Sequence, residues 1–146
     1  MRTYAIAAVL ALSVLCVGRA SQAAPSPTIV TPDKMHWQAG TGPMKGAQTL
    51  VLYGDPSKAG FYAMRLRVPD GLVFAPHMHG DRENVTVVSG TLMVGLGDMV
   101  DKTKMLALPA GSFVSVPAGV HHYAMAKGTT VLEIVGIGPS TMTAVH

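Results

Sequence analysis

Four residues of this chain have the types and the spacing that bind a divalent metal ion. His77 and His79 are two positions apart, so both imidazole rings project from the same face of an extended strand. Glu83 lies four positions after His79 and opens the next apolar run. Two imidazoles and a carboxylate from neighbouring strands can converge on one ion, and a third imidazole would complete the set. His122, on a later strand just after a Pro-Ala-Gly turn, is the natural candidate for that third imidazole.

Short β-favouring runs separated by turn signals must position these side chains. No stretch shows sustained helical periodicity, apart from a turn around Met99–Lys104. Runs of this length, ended by Gly, Pro and Asp, are typical of an antiparallel sandwich or barrel, so the predicted fold class is all-β. The predicted strands are Thr49–Tyr53, Phe61–Val68, Val85–Val88, Thr91–Leu96, Ser112–Val116 and Thr129–Val135.

The first group of candidate ligands belongs to a longer pattern of fixed spacings. Gly71, His77-Met78-His79, Glu83 and Gly90 are separated by five, three and six residues. This pattern resembles the first motif of the cupin superfamily without a departure.

The remaining candidate ligand belongs to a second pattern. Gly111, Pro117-Ala118-Gly119 and His122 are separated by five and two residues, and 20 residues lie between the two patterns. This arrangement resembles the second cupin motif, except that Ala126 stands where that motif usually ends with Asn. The Asn is not a metal ligand, so the departure removes a polar group near the barrel mouth and leaves metal binding intact.

The resemblance, which covers Thr49–Gly138, implies a single conical jelly-roll β-barrel with a divalent transition metal inside. At the positions that match the cupin motifs, the resemblance implies the ligands His77, His79, Glu83 and His122, and it implies an ion of Mn, Fe, Co, Ni, Cu or Zn. Three imidazoles and one carboxylate leave two positions of an octahedral ion open to water, dioxygen or a chelating substrate. Cupins commonly pair through sheet edges, so a homodimer is a further expectation.

Two functions fit such a site, and the sequence leaves both open. One is a metal-dependent enzyme of the dioxygenase, lyase or isomerase type acting on a small molecule, in which Glu83 could leave the metal and act as a base. The other is a non-catalytic module that binds a metal or a small ligand, because no acid or base besides the ligands can be named. Motifs of nucleophilic catalysis and phosphate binding do not occur in the sequence.

Alternation along the strands assigns roles to several other residues. His121, Tyr123 and Met78 each adjoin a candidate ligand, so they should face away from the metal. Arg65 and Arg67 share one face of their strand. We favour a solvated position for both, opposite an apolar core-facing side, over a position inside the barrel where an arginine would hold an anionic substrate.

The N-terminus has the layout of a secretory signal peptide. Arg2 gives a positive start, Tyr4–Val17 is an almost unbroken apolar run, and Ser21-Gln22-Ala23 supplies small residues for cleavage near residue 23. The run is shorter than the ~20 apolar residues of a membrane span, and Leu15 before Cys16 disfavours lipid attachment. These features predict a periplasmic or secreted protein without a stable membrane anchor after processing.

Length and composition exclude several classes of protein. The 146 residues have room for one domain. We divide the chain into a signal peptide (1–23), an extended N-terminal segment (24–46) and a cupin domain (47–146). A hydrophobic fraction of 49% excludes disorder, and a net charge of +3 without clustered Lys or Arg argues against nucleic-acid binding. Cleavage would remove Cys16 and two of the 11 basic residues, leaving a net charge of +1 and no thiol.

Overall fold

Nine β-strands form the fold in a computed structural model that describes residues 26–146. They are β1 (Gln38–Ala39), β2 (Gln48–Tyr53), β3 (Gly60–Val68), β4 (Val73–His79), β5 (Glu83–Leu96), β6 (Leu106–Pro109), β7 (Phe113–Val116), β8 (His122–Gly138) and β9 (Met142–Ala144). Three-residue 3-10 helices span Pro32–Lys34, Gly42–Met44 and Lys102–Lys104. Within the described range no helix has the length and apolar content of a membrane span. The predicted all-β class is confirmed, whereas the predicted signal peptide lies outside the described residues.

The long strand β8 is the centre of the sheet. One edge of β8 pairs with β3 along its C-terminal part and with β4 along its N-terminal part, and the other edge pairs with β5. Strand β5 is itself shared between β7 at its start and β6 at its end. The edges are extended by β2 and β1 beyond β3 and by β9 beyond β4. Because both long strands change partners along their length, the sheet curls into a barrel around one core.

Strict alternation along β3 separates the core from the outer face. Tyr62, Leu66 and Val68 are almost fully buried, as expected for the apolar face of a half-buried strand. On the other face the Arg65 guanidinium bonds the Glu133 carboxylate at 2.8 and 2.9 Å. The Arg67 guanidinium lies 4.1 Å from the centre of the Trp37 ring. Both arginines therefore lie outside the barrel, which agrees with the position that we favoured from the sequence.

The prediction of two separate strands, Val85–Val88 and Thr91–Leu96, is wrong. Strand β5 continues through Ser89-Gly90 to Leu96, with a shift of register against β8 on each side of Ser89. Gly90 has a φ of 77°, and a Cβ there would lie 2.6 Å from the Thr129 carbonyl oxygen. A bulge of this kind bends a strand and increases its twist. The Ser-Gly signal thus marks the point at which β5 turns from one side of the barrel to the other.

Other predicted boundaries also change. The run Thr129–Val135 is the middle of the 17-residue strand β8, and β6 and β9 fall where no strand is predicted. The segment 24–46 contains two of the 3-10 helices and β1.

The hydroxyl of Thr130 holds the bulged region of β5 against β8. Thr130 is fully buried, and its Oγ1 accepts a hydrogen bond from the Thr91 amide at 3.2 Å. The same hydroxyl lies 3.0 Å from the carbonyl oxygens of Thr91 and of Gly128, to which it can donate. These contacts satisfy backbone groups that the interrupted ladder leaves without a regular partner.

We expect Thr130→Val to lower the free energy of unfolding by about 1–3 kcal/mol, because valine keeps the shape but leaves buried backbone groups unpaired. Urea unfolding measures the effect. The exposed neighbour Thr129 provides a matched control, and Thr129→Val should change the stability by no more than about 0.5 kcal/mol. Equal midpoints for the two variants would show that the Thr130 hydroxyl does not support the bulge.

Candidate metal centre

The four predicted ligands come together at the ends of three strands. His77 and His79 lie in the last three residues of β4, Glu83 is the first residue of β5, and His122 is the first residue of β8. His77 and His122 are direct partners across the β4–β8 pair, which places their side chains on one face. The turn Gly80–Arg82 brings Glu83 back toward His79, because it joins β4 directly to β5.

The three imidazoles form a buried cluster with the Glu83 carboxylate beside it. Their ring centres are 4.2 Å (His77–His122), 5.1 Å (His77–His79) and 5.4 Å (His79–His122) apart. The three residues are 3–6% exposed, and one ligand nitrogen from each lies within 4.8 Å of the other two. Oε2 of Glu83 lies 3.4 Å from Nε2 of His122 and 3.6 Å from Nε2 of His79. The histidine cluster could hold a metal ion.

Hydrogen bonds to the backbone determine which nitrogen of each imidazole ring carries the proton. Nδ1 of His77 lies 2.7 Å from the Ala75 carbonyl oxygen, and Nδ1 of His122 lies 3.0 Å from that of Val120. Nδ1 of His79 lies 3.0 Å from the Thr141 carbonyl oxygen. A carbonyl oxygen only accepts, so each Nδ1 must carry a proton and donate it. The neutral rings therefore present the lone pairs of their Nε2 atoms to the centre of the cluster, as metal-bound histidines do.

When the rings are neutral, the Nε2 lone pairs face one another and the Glu83 carboxylate, and all of these groups are hydrogen-bond acceptors. Within residues 26–146, Nε2 of His79 is the one buried side-chain nitrogen or oxygen that has no hydrogen-bond partner. The Glu83 carboxylate, 3.6 Å away, cannot donate when it is ionised. A buried acceptor without a donor is costly, and a cation between the lone pairs and the carboxylate removes that cost. The donor set therefore fits a bound metal ion.

The titration of the cluster follows from burial and from the neighbouring charges. Burial, reinforced by the other two imidazoles, lowers the pKa of His77 to about 4. Burial alone would raise the pKa of Glu83, but the His122 imidazole, whose Nε2 can donate to the carboxylate when that ring is protonated, and the other two imidazoles outweigh burial and lower that pKa. Burial alone would lower the pKa of His122, but the Glu83 carboxylate outweighs it and raises that pKa. At neutral pH Glu83 is thus ionised, as a metal ligand must be.

A small apolar cavity opens in front of the cluster. Its volume is about 40 Å³, and apart from the three histidines and Glu83 every side chain that lines it is apolar. Two of these are methionines from distant parts of the chain, Met44 in the N-terminal segment and Met142 in β9. Sequence reasoning missed both, because neither lies in a recognisable motif. No lysine or arginine of the described residues lines the cavity.

The neighbours of the ligands lie where alternation predicts. His121 lies at the surface, with its Nδ1 2.6 Å from a carboxylate oxygen of Asp98. Tyr123 is buried outside the cavity, and its hydroxyl donates to the Asp101 carbonyl at 3.1 Å. Ala126, at the position of the motif's usual Asn, is 1% exposed within the apolar core and does not line the cavity.

Comparison with known proteins relates the chain to one family. The family model described as the ChrR cupin-like domain matches residues 25–141, and no curated protein matches the sequence.

Solved structures with the same fold include enzymes and a regulator. The polyketide cyclase RemF from Streptomyces resistomycificus is 16% identical with a TM-score of 0.69, over 83% of this chain and 87% of that one. An RmlC-like cupin from Shewanella frigidimarina is 20% identical with a TM-score of 0.60, over 78% and 94%. The complex of Rhodobacter sphaeroides SigE with the anti-sigma ChrR gives 17% identity and a TM-score of 0.53, over 73% and 51%. At these identities the matches show the fold alone.

We expect the affinity for a divalent metal to fall as the pH decreases from neutral, because protons then compete for the imidazoles. The first loss should come as the pH falls through the raised pKa of His122, and a further loss as it approaches about 4, where His77 becomes protonated. Titration with Zn²⁺ at a series of pH values measures this dependence. An affinity at pH 5 equal to that at pH 7 would contradict binding by three histidines.

Proposed function

The chain belongs to the family of ChrR cupin-like domains, and from this premise we propose that it binds one divalent transition metal through His77, His79, Glu83 and His122. The main support for the proposal is that the Nε2 lone pairs of the three histidines point toward the same place. Each Nδ1 is held by a backbone carbonyl, so three Nε2 atoms and one carboxylate are left to bind a cation. Three imidazoles with one carboxylate suit Mn, Fe, Co, Ni, Cu or Zn.

We further propose that the metal presents a small, largely apolar ligand to the cavity. A volume of about 40 Å³ has room for only a few water-sized groups. The donor atoms of the ligand would fill it, and its body would lie along the apolar walls toward the opening. Because Arg65 and Arg67 are engaged outside the barrel, a negative charge on the ligand would have to be neutralised by the metal. A chelating oxygen group on a short aliphatic body has this chemistry.

A metal-dependent enzyme is the second candidate function, and the cavity beside the donor set favours it. A bound transition metal would supply Lewis acidity or redox chemistry. The contribution of the chain is to exclude water through the apolar walls and to hold Glu83 as the ionised carboxylate. The lowered pKa of Glu83 makes it a weaker base than an ordinary glutamate and favours its role as a ligand.

We also propose that the protein works outside the cytoplasm. The support is the charge, apolar run and small residues of its first 23 positions. A site made of imidazoles and a carboxylate needs no reduced thiol, so it suits an oxidising compartment.

We expect His122→Ala to weaken Zn²⁺ binding by more than about 100-fold, since loss of a supporting partner alone costs 10–100-fold in metal affinity. Isothermal titration measures the affinity and the stoichiometry, which should be one ion per chain in the unmodified protein. His121→Ala is the matched control, because this neighbouring imidazole points to the surface beside Asp98, and it should bind Zn²⁺ normally. A chain that binds no stoichiometric metal would refute the proposal.

We expect small diketones to raise the melting temperature of the metal-loaded protein but not of the metal-free protein, because the chelating oxygens need the ion. Oxygen uptake and loss of the diketone, measured in the same samples, distinguish the two candidate functions. Turnover that His122→Ala abolishes supports the enzyme, and stabilisation without turnover supports the binding module. Equal stabilisation with and without metal would contradict a metal-held ligand.

A further inference from the structure

The C-terminal strand β9 lies directly along the strand that carries two of the candidate ligands. Its residues pair with β4 in antiparallel register, with Met142 opposite His79, Thr143 opposite Met78 and Ala144 opposite His77. The Val145 amide extends the contact by donating to the Pro76 carbonyl at 2.9 Å. The last residues of the chain therefore form the edge of the sheet at the candidate metal centre.

His79 depends on this strand in a way that the other two histidines do not. Nδ1 of His77 and of His122 each donates to a carbonyl two residues earlier in its own segment. Nδ1 of His79 donates instead to the carbonyl of Thr141, which lies 62 residues away. The protonation site and the direction of the His79 ring are thus set by a contact that exists only while β9 is docked.

From this difference we infer that β9 is the positioning element of the metal centre, and that Thr141 is the positioning residue for His79. The inference rests on the proposed function, because it assigns a role in metal binding. Without β9, the His79 ring can rotate or move its proton to Nε2, and a protonated Nε2 cannot bind a metal.

Further contacts join the same C-terminal segment to the turn between His79 and Glu83. Oγ1 of Thr141 accepts a hydrogen bond from the Gly80 amide at 3.2 Å. The Ser140 hydroxyl donates to the Asp81 carboxylate at 3.0 Å. A Cβ on Gly80 would lie 2.6 Å from Oγ1 of Thr141, so the two segments approach as closely as glycine allows. The segment therefore supports both sides of the turn that brings a histidine and the carboxylate together.

The strand is also built to undock at low cost. It has only three residues, and Thr143 and Ala144 are exposed. Met142 contributes the side chain that lines the cavity. Short edge elements with little buried surface open far below the global free energy of unfolding. Since a metal held by His79 favours the docked strand, docking must strengthen metal binding by the same factor.

Thr143→Pro tests the inference, because proline cannot donate to the ladder and Thr143 is an exposed residue that is not itself a candidate ligand. We expect it to weaken Zn²⁺ binding about 10- to 100-fold, the usual effect of losing a partner that orients a ligand. Thr143→Val is the matched control, because valine keeps the amide and the β-branched shape, and its affinity should stay within about twofold of the unmodified protein. A chain that ends at Gly138 removes the same strand without adding a proline and should repeat the loss.

Nitrogen NMR of the imidazoles gives a readout that a general loss of stability would not reproduce. In the metal-free Thr143→Pro variant, the proton of His79 should no longer be confined to Nδ1 and should exchange with Nε2. His77 and His122 should keep their protons on Nδ1. A change at all three rings or at none, in both Thr143→Pro and the shortened chain, overturns the inference. If the unmodified protein binds no Zn²⁺, the proposed function fails, but the spectra of the metal-free protein still decide whether β9 positions His79.

Discussion

The three hydrogen bonds from imidazole Nδ1 atoms to backbone carbonyls are the constraint on which the site depends. Each bond holds one ring against the barrel wall and turns its Nε2 lone pair inward. The acceptors that result, together with the Glu83 carboxylate, lie in an interior whose other walls are apolar. Buried acceptors without donors are destabilising by about 1–3 kcal/mol each. Nε2 of His79 is such an acceptor among the described residues, and a cation bound between it, the other two Nε2 atoms and the Glu83 carboxylate would remove this cost.

The strand topology supplies these bonds at small structural cost. Two of the carbonyls, those of Ala75 and Val120, precede their histidines by two residues, so local backbone geometry is enough to provide them. Glu83 reaches the cluster because a tight turn joins β4 to β5. The bulge at Ser89-Gly90 then lets β5 continue around the barrel. Only the Thr141 contact requires that distant parts of the chain meet.

The sequence predicts well whatever depends on local spacing. The pair His77 and His79 shares a face because the strand period is two, and the surface position of His121 follows from the same rule. The Ser89-Gly90 signal is ambiguous, because glycine at positive φ serves a turn and a bulge equally. The Thr141 carbonyl has no signature at all, since every residue has a carbonyl and only the register of β9 selects this one.

The apolar interior limits what the metal centre can recognise. Ala124 lines the cavity and Ala126, two residues further along the same face of β8, is buried in the core. An asparagine at position 126 would place an amide among apolar neighbours and need a partner there, whereas alanine keeps this part of the interior free of polar groups. With the arginines of β3 bound to Glu133 and Trp37 on the outside, the polar contacts inside would come from a bound metal and from the histidines and Glu83. Selectivity should therefore depend on the fit of a small apolar body and on the donor atoms that it offers to the ion.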